Sequence, residues 1–128
     1  MSARQTILII ENDQPTRQMY CRTLEQEYRV LATSIEDEVS ALVKAHTIHA
    51  VVLEPGPIGG EGWALLADLM RHPNLQAVPI VICTAQDKQR LGVELGSTVY
   101  LVKPVLPAVL LETVRRLTHP EITQGGHR

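Results

Sequence analysis

Aromatic side chains are scarce in this 128-residue chain, which has no phenylalanine, three tyrosines and one tryptophan. No aromatic cluster or exposed apolar stripe therefore marks an interface. Cysteine is nearly as rare. Cys21 and Cys83 sit in apolar stretches and form no C-x-x-C, so buried, reduced thiols are expected rather than a redox pair. The five histidines are scattered, and His46 and His49 straddle an expected helix–strand junction, which suits no metal-ligand set. No block of one charge occurs and the net charge is −2, which argues against strong nucleic-acid binding by this domain. No apolar run approaches the ~20 residues needed to span a bilayer. Met1 to Gln5 is short, polar and runs straight into an apolar segment, which fits no signal peptide, so a cytoplasmic location is expected. Glycines 56, 59, 60 and 62 are not followed by Gly-Lys-Ser/Thr and come after the third apolar run, not the first; that argues against a nucleotide-phosphate loop.

What is present is ordinary for a soluble globular domain: 45% apolar and 20% charged residues. A chain of this length makes one compact domain that buries roughly two-thirds of its unfolded surface and needs no metal or disulfide staple. Short apolar runs alternate with helix-period segments. Strands are expected at 7–10, 30–32, 50–53, 80–83 and 98–102. A helix opens at Pro15-Thr16 with Met19, Tyr20, Thr23 and Leu24 on one face, proline being well placed where its missing N–H has no partner to lose. Ile35, Val39, Leu42, Val43 and His46 give the clearest helical period, with Ser34 and Asp37 as an imperfect capping box. A third helix carries Leu65, Leu66, Leu69 and Met70 and stops before Pro73. Residues 86–95 are weakly helical and short. Pro107 opens a last helix with Leu110, Leu111, Val114 and Leu117 on one face. Residues 1–119 form the domain, and 120–128 a polar tail that is expected to fray.

Five strands alternating with five helices imply an α/β fold: a doubly wound parallel sheet with helices on both faces. In such sheets chemistry sits at the carboxyl ends of the strands. Glu11, Asn12 and Asp13 follow the first strand, Glu54 the third, Thr84 the fourth, and Lys103-Pro104 the fifth. A charged residue at one strand end usually only marks where the chain meets water. Carboxylates, a hydroxyl and a lysine at four strand ends on one edge ask for more.

In order and spacing these residues resemble a response-regulator receiver domain from Ile7 to about Thr118. Ile7 to Arg17 (ILIIENDQPTR) has the form of that family's first strand, acidic residues and following arginine. Glu54 and Gly62 have the spacing of its phosphoacceptor aspartate and the glycine eight residues on, followed by Trp63-Ala64-Leu65-Leu66. Thr84-Ala85, and Gly96-Ser97 through Tyr100-Leu101-Val102-Lys103-Pro104, match its fourth and fifth strands. The resemblance implies the flavodoxin-like strand order 2-1-3-4-5. It also implies a carboxylate that attacks a phosphoryl group on a partner kinase's histidine. Mg²⁺ would be held by Glu11, Asn12, Glu54 and the Gly56 carbonyl. Lys103 would bind the phosphoryl, and Thr84 and Tyr100 would switch.

The sequence departs from the family where the chemistry is concentrated. Glu54 replaces aspartate and is longer by one methylene. It can fill the phosphoryl's space by reaching Lys103 or Thr84 and mimic the phosphorylated state, or it can simply pair with lysine and carry no signal. Asn12 can ligate a hard cation but brings no charge, so Mg²⁺ is expected to be weak or absent; Asp13 compensates only if the register slips by one. The stretch between Thr84 and Gly96 is short for the family, and Pro55 and Pro57 stiffen the loop over the site. The expected function is a degenerate, phosphorylation-independent receiver and not an enzyme. It would contact a sensor kinase or other signalling protein, and neither nucleic acid nor membrane. The alternatives are a working phosphoacceptor with Mg²⁺-dependent autophosphorylation and, more remotely, a flavodoxin-like small-molecule-binding domain.

Overall fold

A computed structural model describes residues 4–34, 36–57, 59–85 and 99–119, and only the backbone of residues 36 and 37. The elements are β1 (Thr6–Ile10), α1 (Gln14–Leu24), β2 (Arg29–Thr33), α2 (Glu36–Ala45), β3 (Ala50–Leu53), α3 (Glu61–Arg71), a 3-10 turn (Pro73–Leu75), β4 (Ile80–Thr84), β5 (Val99–Val102) and α4 (Pro107–Thr118). All strands are parallel, in the order β2-β1-β3-β4-β5. This is the doubly wound, flavodoxin-like sheet that the alternation of runs and periods implies.

Burial explains the order. β1, β3 and β4 are buried at every position, as continuous apolar runs must be when helices cover both faces. β2 and β5 are only partly covered and take the two edges. Alternate residues feed two core layers. Ile7, Ile9 and Val52 pack with Tyr20 and Leu24 of α1 and Leu110 and Val114 of α4. Leu8, Ile10 and Val51 pack with Val39 and Val43 of α2 and Leu66 and Leu69 of α3. Each buried aliphatic side chain contributes about 1.5–3 kcal/mol.

Several boundaries differ from the sequence reading. α1 begins at Gln14, one residue before Pro15, because Asp13 accepts from the Thr16 amide and so caps the helix. β2 runs from Arg29 to Thr33, longer than its apolar run, because edge pairing with β1 uses the backbone and not the side chains. His46 does not belong to the buried stripe of α2; the helix ends at Ala45 and His46 is exposed. The chain must turn there to bury Ile48, and at His49 it clasps β1: the His49 amide donates to the Thr6 carbonyl at 2.8 Å, while Nδ1 accepts from the Thr6 amide at 3.0 Å. Both cysteines are free thiols; Cys83 is buried, while Cys21 is only partly so. Val102, Leu106 and Val109 keep 48%, 64% and 44% of their surface exposed along the β5–α4 segment. They have helical spacing but lie on a strand, a helix cap and a helix in turn, so no one periodic element marked them as an apolar surface in the sequence. Ile35, the side chain of Asp37, the expected helix at 86–95, Gly96, Ser97, Thr98 and the tail at 120–128 lie outside the described residues. Among the described residues no helix is long and apolar enough to cross a membrane.

Candidate functional site

In-register parallel strands bring their carboxyl ends to one edge. Ile10 pairs with Leu53 and Leu53 with Ile82, so the residues that follow β1 and β3 are neighbours. The ladder runs past both strands: the Glu54 amide donates to the Ile10 carbonyl at 2.9 Å and the Glu11 amide to the Thr33 carbonyl at 3.1 Å. Ile9, Val52 and Leu101 share the α1/α4 face. Two residues on from each come Glu11, Glu54 and Lys103, so the alternation of side chains carries three charged groups to the edge of the same face.

There they meet. The Lys103 ammonium donates to Glu11 Oε1 at 2.8 Å and lies 3.0 Å from Glu54 Oε1. The Glu11 side chain is 2% exposed, Glu54 15% and Lys103 21%. Burial pushes the Lys103 pKa down, but the hydrogen bonds it donates to the two carboxylates outweigh it and hold the ammonium above its ordinary value. The other oxygen of each glutamate is also engaged. Glu11 Oε2 accepts from the Asp13 amide at 3.1 Å and Glu54 Oε2 from the Gly56 amide at 2.9 Å. Below this centre, burial raises the Cys83 thiol to about 12, which leaves it inert.

The β3–α3 loop is shaped to make those contacts. Gly56 has φ of 75°, a left-handed conformation that favours glycine and turns its amide toward Glu54. Its carbonyl accepts from the Trp63 indole at 3.2 Å. Gly62, in the first turn of α3, lies so close to the loop that a Cβ there would sit 1.8 Å from the Pro55 carbonyl oxygen. A cleft of about 580 Å³ opens beside the centre, lined by Asn12, Ser34, Glu54, Gly56 and Glu61 among others.

The remaining expected residues are placed as follows. Asn12 is exposed on the cleft. Asp13 is exposed and its carboxylate is committed to the α1 cap, accepting from the Thr16 amide and hydroxyl; those bonds hold its pKa below the ordinary carboxylate value. Thr84 is buried at the end of β4, and its carbonyl accepts from the Lys103 amide at 2.8 Å. Tyr100, on β5, is half-buried against the α2/α3 core layer. The Lys103–Pro104 peptide bond is cis. Two residues were part of the sequence pattern without a role. Arg17 donates to the Glu11 carbonyl at 2.7 Å and fixes the β1–α1 loop, and Trp63 holds Gly56. Both act on backbone carbonyls, which leave no mark in a side-chain pattern.

In the set that the resemblance assigns to Mg²⁺, Asn12 is exposed on the cleft while the other oxygens are already hydrogen-bonded. Both oxygens of Glu11, both of Glu54 and the Gly56 carbonyl each already accept from an N–H or ammonium donor. Among the described residues no cluster of three or more His, Cys, Asp or Glu side chains is placed to hold a metal. What the arrangement does is bind a monovalent cation, the lysine, between one buried and one partly buried carboxylate.

Comparison with known proteins agrees with this architecture. Residues 7–115 match the response regulator receiver domain. The chain is 30% identical over its whole length to the hydrogenase transcriptional regulatory protein HoxA of Cupriavidus necator, of which it covers 27%. It is 34% identical over 87% of its length to the transcriptional activator protein IrlR of Burkholderia pseudomallei, of which it covers 49%. The chain thus spans half or less of these two relatives. The fold superposes on the chemotaxis response regulator CheY4 of Vibrio cholerae with a TM-score of 0.80 at 23% identity, over 90% of this chain and 99% of that one. With strand order and sequence match in agreement over most of its length, the chain belongs to the response regulator receiver domains of two-component signalling.

Proposed function

We propose that this receiver domain holds one signalling state through its own side chains, without being phosphorylated, and acts in the cytoplasm by protein–protein contact and not as an enzyme. The observation that carries the reading is the Lys103 ammonium bridging Glu11 and Glu54 at 2.8 and 3.0 Å. On this reading Glu54 stands at the family's phosphoacceptor position, Glu11 and Asn12 form the acidic pocket beside Asp13, whose carboxylate is spent on the α1 cap, and Thr84 and Tyr100 are the switch residues. The extra methylene of Glu54 moves its oxygens outward, and misplacement by about 1 Å costs an in-line transfer roughly a hundredfold. Asn12 removes one negative charge from the pocket that would hold Mg²⁺.

The partner is a sensor kinase or another signalling protein, and Val102, Leu106 and Val109 offer it apolar surface. The names of HoxA and IrlR point the pathway toward transcriptional control. That control would run through a partner or an attached output domain, since a domain of net charge −2 has little attraction for DNA. Intact-protein mass after incubation with acetyl phosphate and Mg²⁺ tests the reading. An unmodified mass is expected. A single phosphoryl adduct that disappears in Glu54→Gln would establish Mg²⁺-dependent autophosphorylation instead.

A further inference from the structure

We propose that the groove between α2 and α3 is a docking site for a basic amphipathic helix of a partner protein. The proposal stands on these two helices and holds whichever way Glu54 is read.

The sheet separates its helices by charge. α1 and α4, on one face, carry four arginines and one glutamate. α2 and α3, on the other, carry five acids, one lysine and one arginine. The first pair thus bears +3 and the second −3, within a chain of net charge −2. Glu27 of the α1–β2 turn answers Arg115, which still leaves the first pair positive. A cationic partner is drawn to the α2/α3 side and repelled from the other, so it is oriented before contact.

Between α2 and α3 lies a groove of about 380 Å³. Its floor is apolar: Val39 of α2 and Leu69 of α3 are buried, Leu65 is half-buried and Ala64 is exposed. Glu61, Ala64, Leu65 and Asp68 stand at i, i+3, i+4 and i+7. They therefore share one side of α3, with an acid at each end and apolar side chains between. At 1.5 Å per residue the acids are about 10 Å apart along the helix. An occupant must bring cations at that separation with aliphatic side chains between them. A helix with Lys or Arg at i and i+7, and Leu or Ala at i+3 and i+4, repeats the pattern with opposite charge and packs against α2 and α3 as a third helix.

Both acids are available to a partner. Glu61 takes part in none of the ion pairs among the described residues. Asp68 pairs with Arg71 at 2.8 Å, but these side chains are 68% and 73% exposed, so a partner's cation replaces Arg71 at little cost. The groove also runs into the cleft beside Glu54, since Glu61 and Leu65 line both. A docked helix that extends past Glu61 meets the β3–α3 loop.

The probe is an alanine-rich helical peptide of about 20 residues with lysine at i and i+7 and leucine at i+3 and i+4, set against the same peptide with glutamate for lysine. Backbone amide NMR of the full chain follows each titration at about 0.15 M salt. The lysine peptide is expected to shift the amides of Ser40, Ala64, Leu65 and Asp68 saturably, and the glutamate peptide none of them. Glu61→Gln and Asp68→Asn should each weaken binding about two- to fivefold. Ala64→Arg puts a cation and a long side chain into the groove and should abolish binding, with the thermal midpoint nearly unchanged because the site is exposed.

Shifts centred on α1 and α4, or on Val102 and Val109, would overturn the proposal, as would an equal response to both peptides or none to either. So would α2 and α3 amides that move with protein concentration alone, which would assign the groove to a second copy of this chain. None of these outcomes touches the phosphoryl adduct that tests the signalling reading, so the two fail separately.

Discussion

Lys103 is the residue on which the buried Glu11 and the partly buried Glu54 depend. Truncating it leaves Glu11, at 2% exposure, without its counter-charge. Lys103→Met is expected to lower stability in metal-free buffer by about 3 kcal/mol, near the low end for breaking a buried pair because Lys103 itself keeps some contact with water. Urea unfolding measures it. The pH dependence has a definite sign. The folded-state pKa of Lys103 is raised, so its contribution is complete below the ordinary lysine value of about 10.4 and is lost as pH climbs through the folded value. The gap between wild type and Lys103→Met should therefore stay level through neutral pH and shrink only in strong alkali. Trp63→Phe keeps an aromatic ring but loses the hydrogen bond and part of the buried indole, for a cost of about 1–3 kcal/mol. Glu11, Glu54 and Lys103 were legible in the sequence because each follows an apolar strand. That one ammonium bridges both carboxylates was not, because it depends on the length and direction of the side chains.

The elements that carry these residues are held by local devices of unequal visibility. Apolar runs gave all five strands within a residue at each end, and prolines gave the stop of α3 and the start of α4. The ends fixed by a single side chain were harder to read. Asp13 looks like one more acid of a pocket, yet in the fold it caps α1. Its folded pKa is lowered, so its stabilisation is present above the ordinary aspartate value and disappears as pH falls through the folded one. The thermal midpoint of Asp13→Ala should lie below the wild type at neutral pH and converge with it in acid. Gly62 was legible only as spacing; its physical reason is the Pro55 carbonyl, 1.8 Å from where a Cβ would stand. Gly62→Ala must push the β3–α3 loop away from α3. A loss of about 2 kcal/mol is expected, read in a denaturant melt, together with a change in Trp63 fluorescence as the Gly56 contact shifts.

At the scale of the whole molecule, the two-layered core fixes the edge on which the centre is built. Leu66 is fully buried between α3 and the sheet, and Leu66→Ala is expected to cost about 3 kcal/mol by urea unfolding without altering the Lys103 contacts. The alternation of apolar runs and helical periods established a doubly wound parallel sheet. It did not by itself establish the order β2-β1-β3-β4-β5, which came from the family resemblance, because strand order is a matter of crossovers and leaves no period in the sequence. One state fixed by Glu11, Glu54 and Lys103, and not by a phosphoryl group, is the central claim for the molecule. The most direct measurement is a pair of backbone amide NMR spectra of the wild type, before and after incubation with acetyl phosphate and Mg²⁺. Superimposable spectra are expected; a new set of resonances for Glu54, Thr84, Tyr100 and Lys103 would contradict the claim.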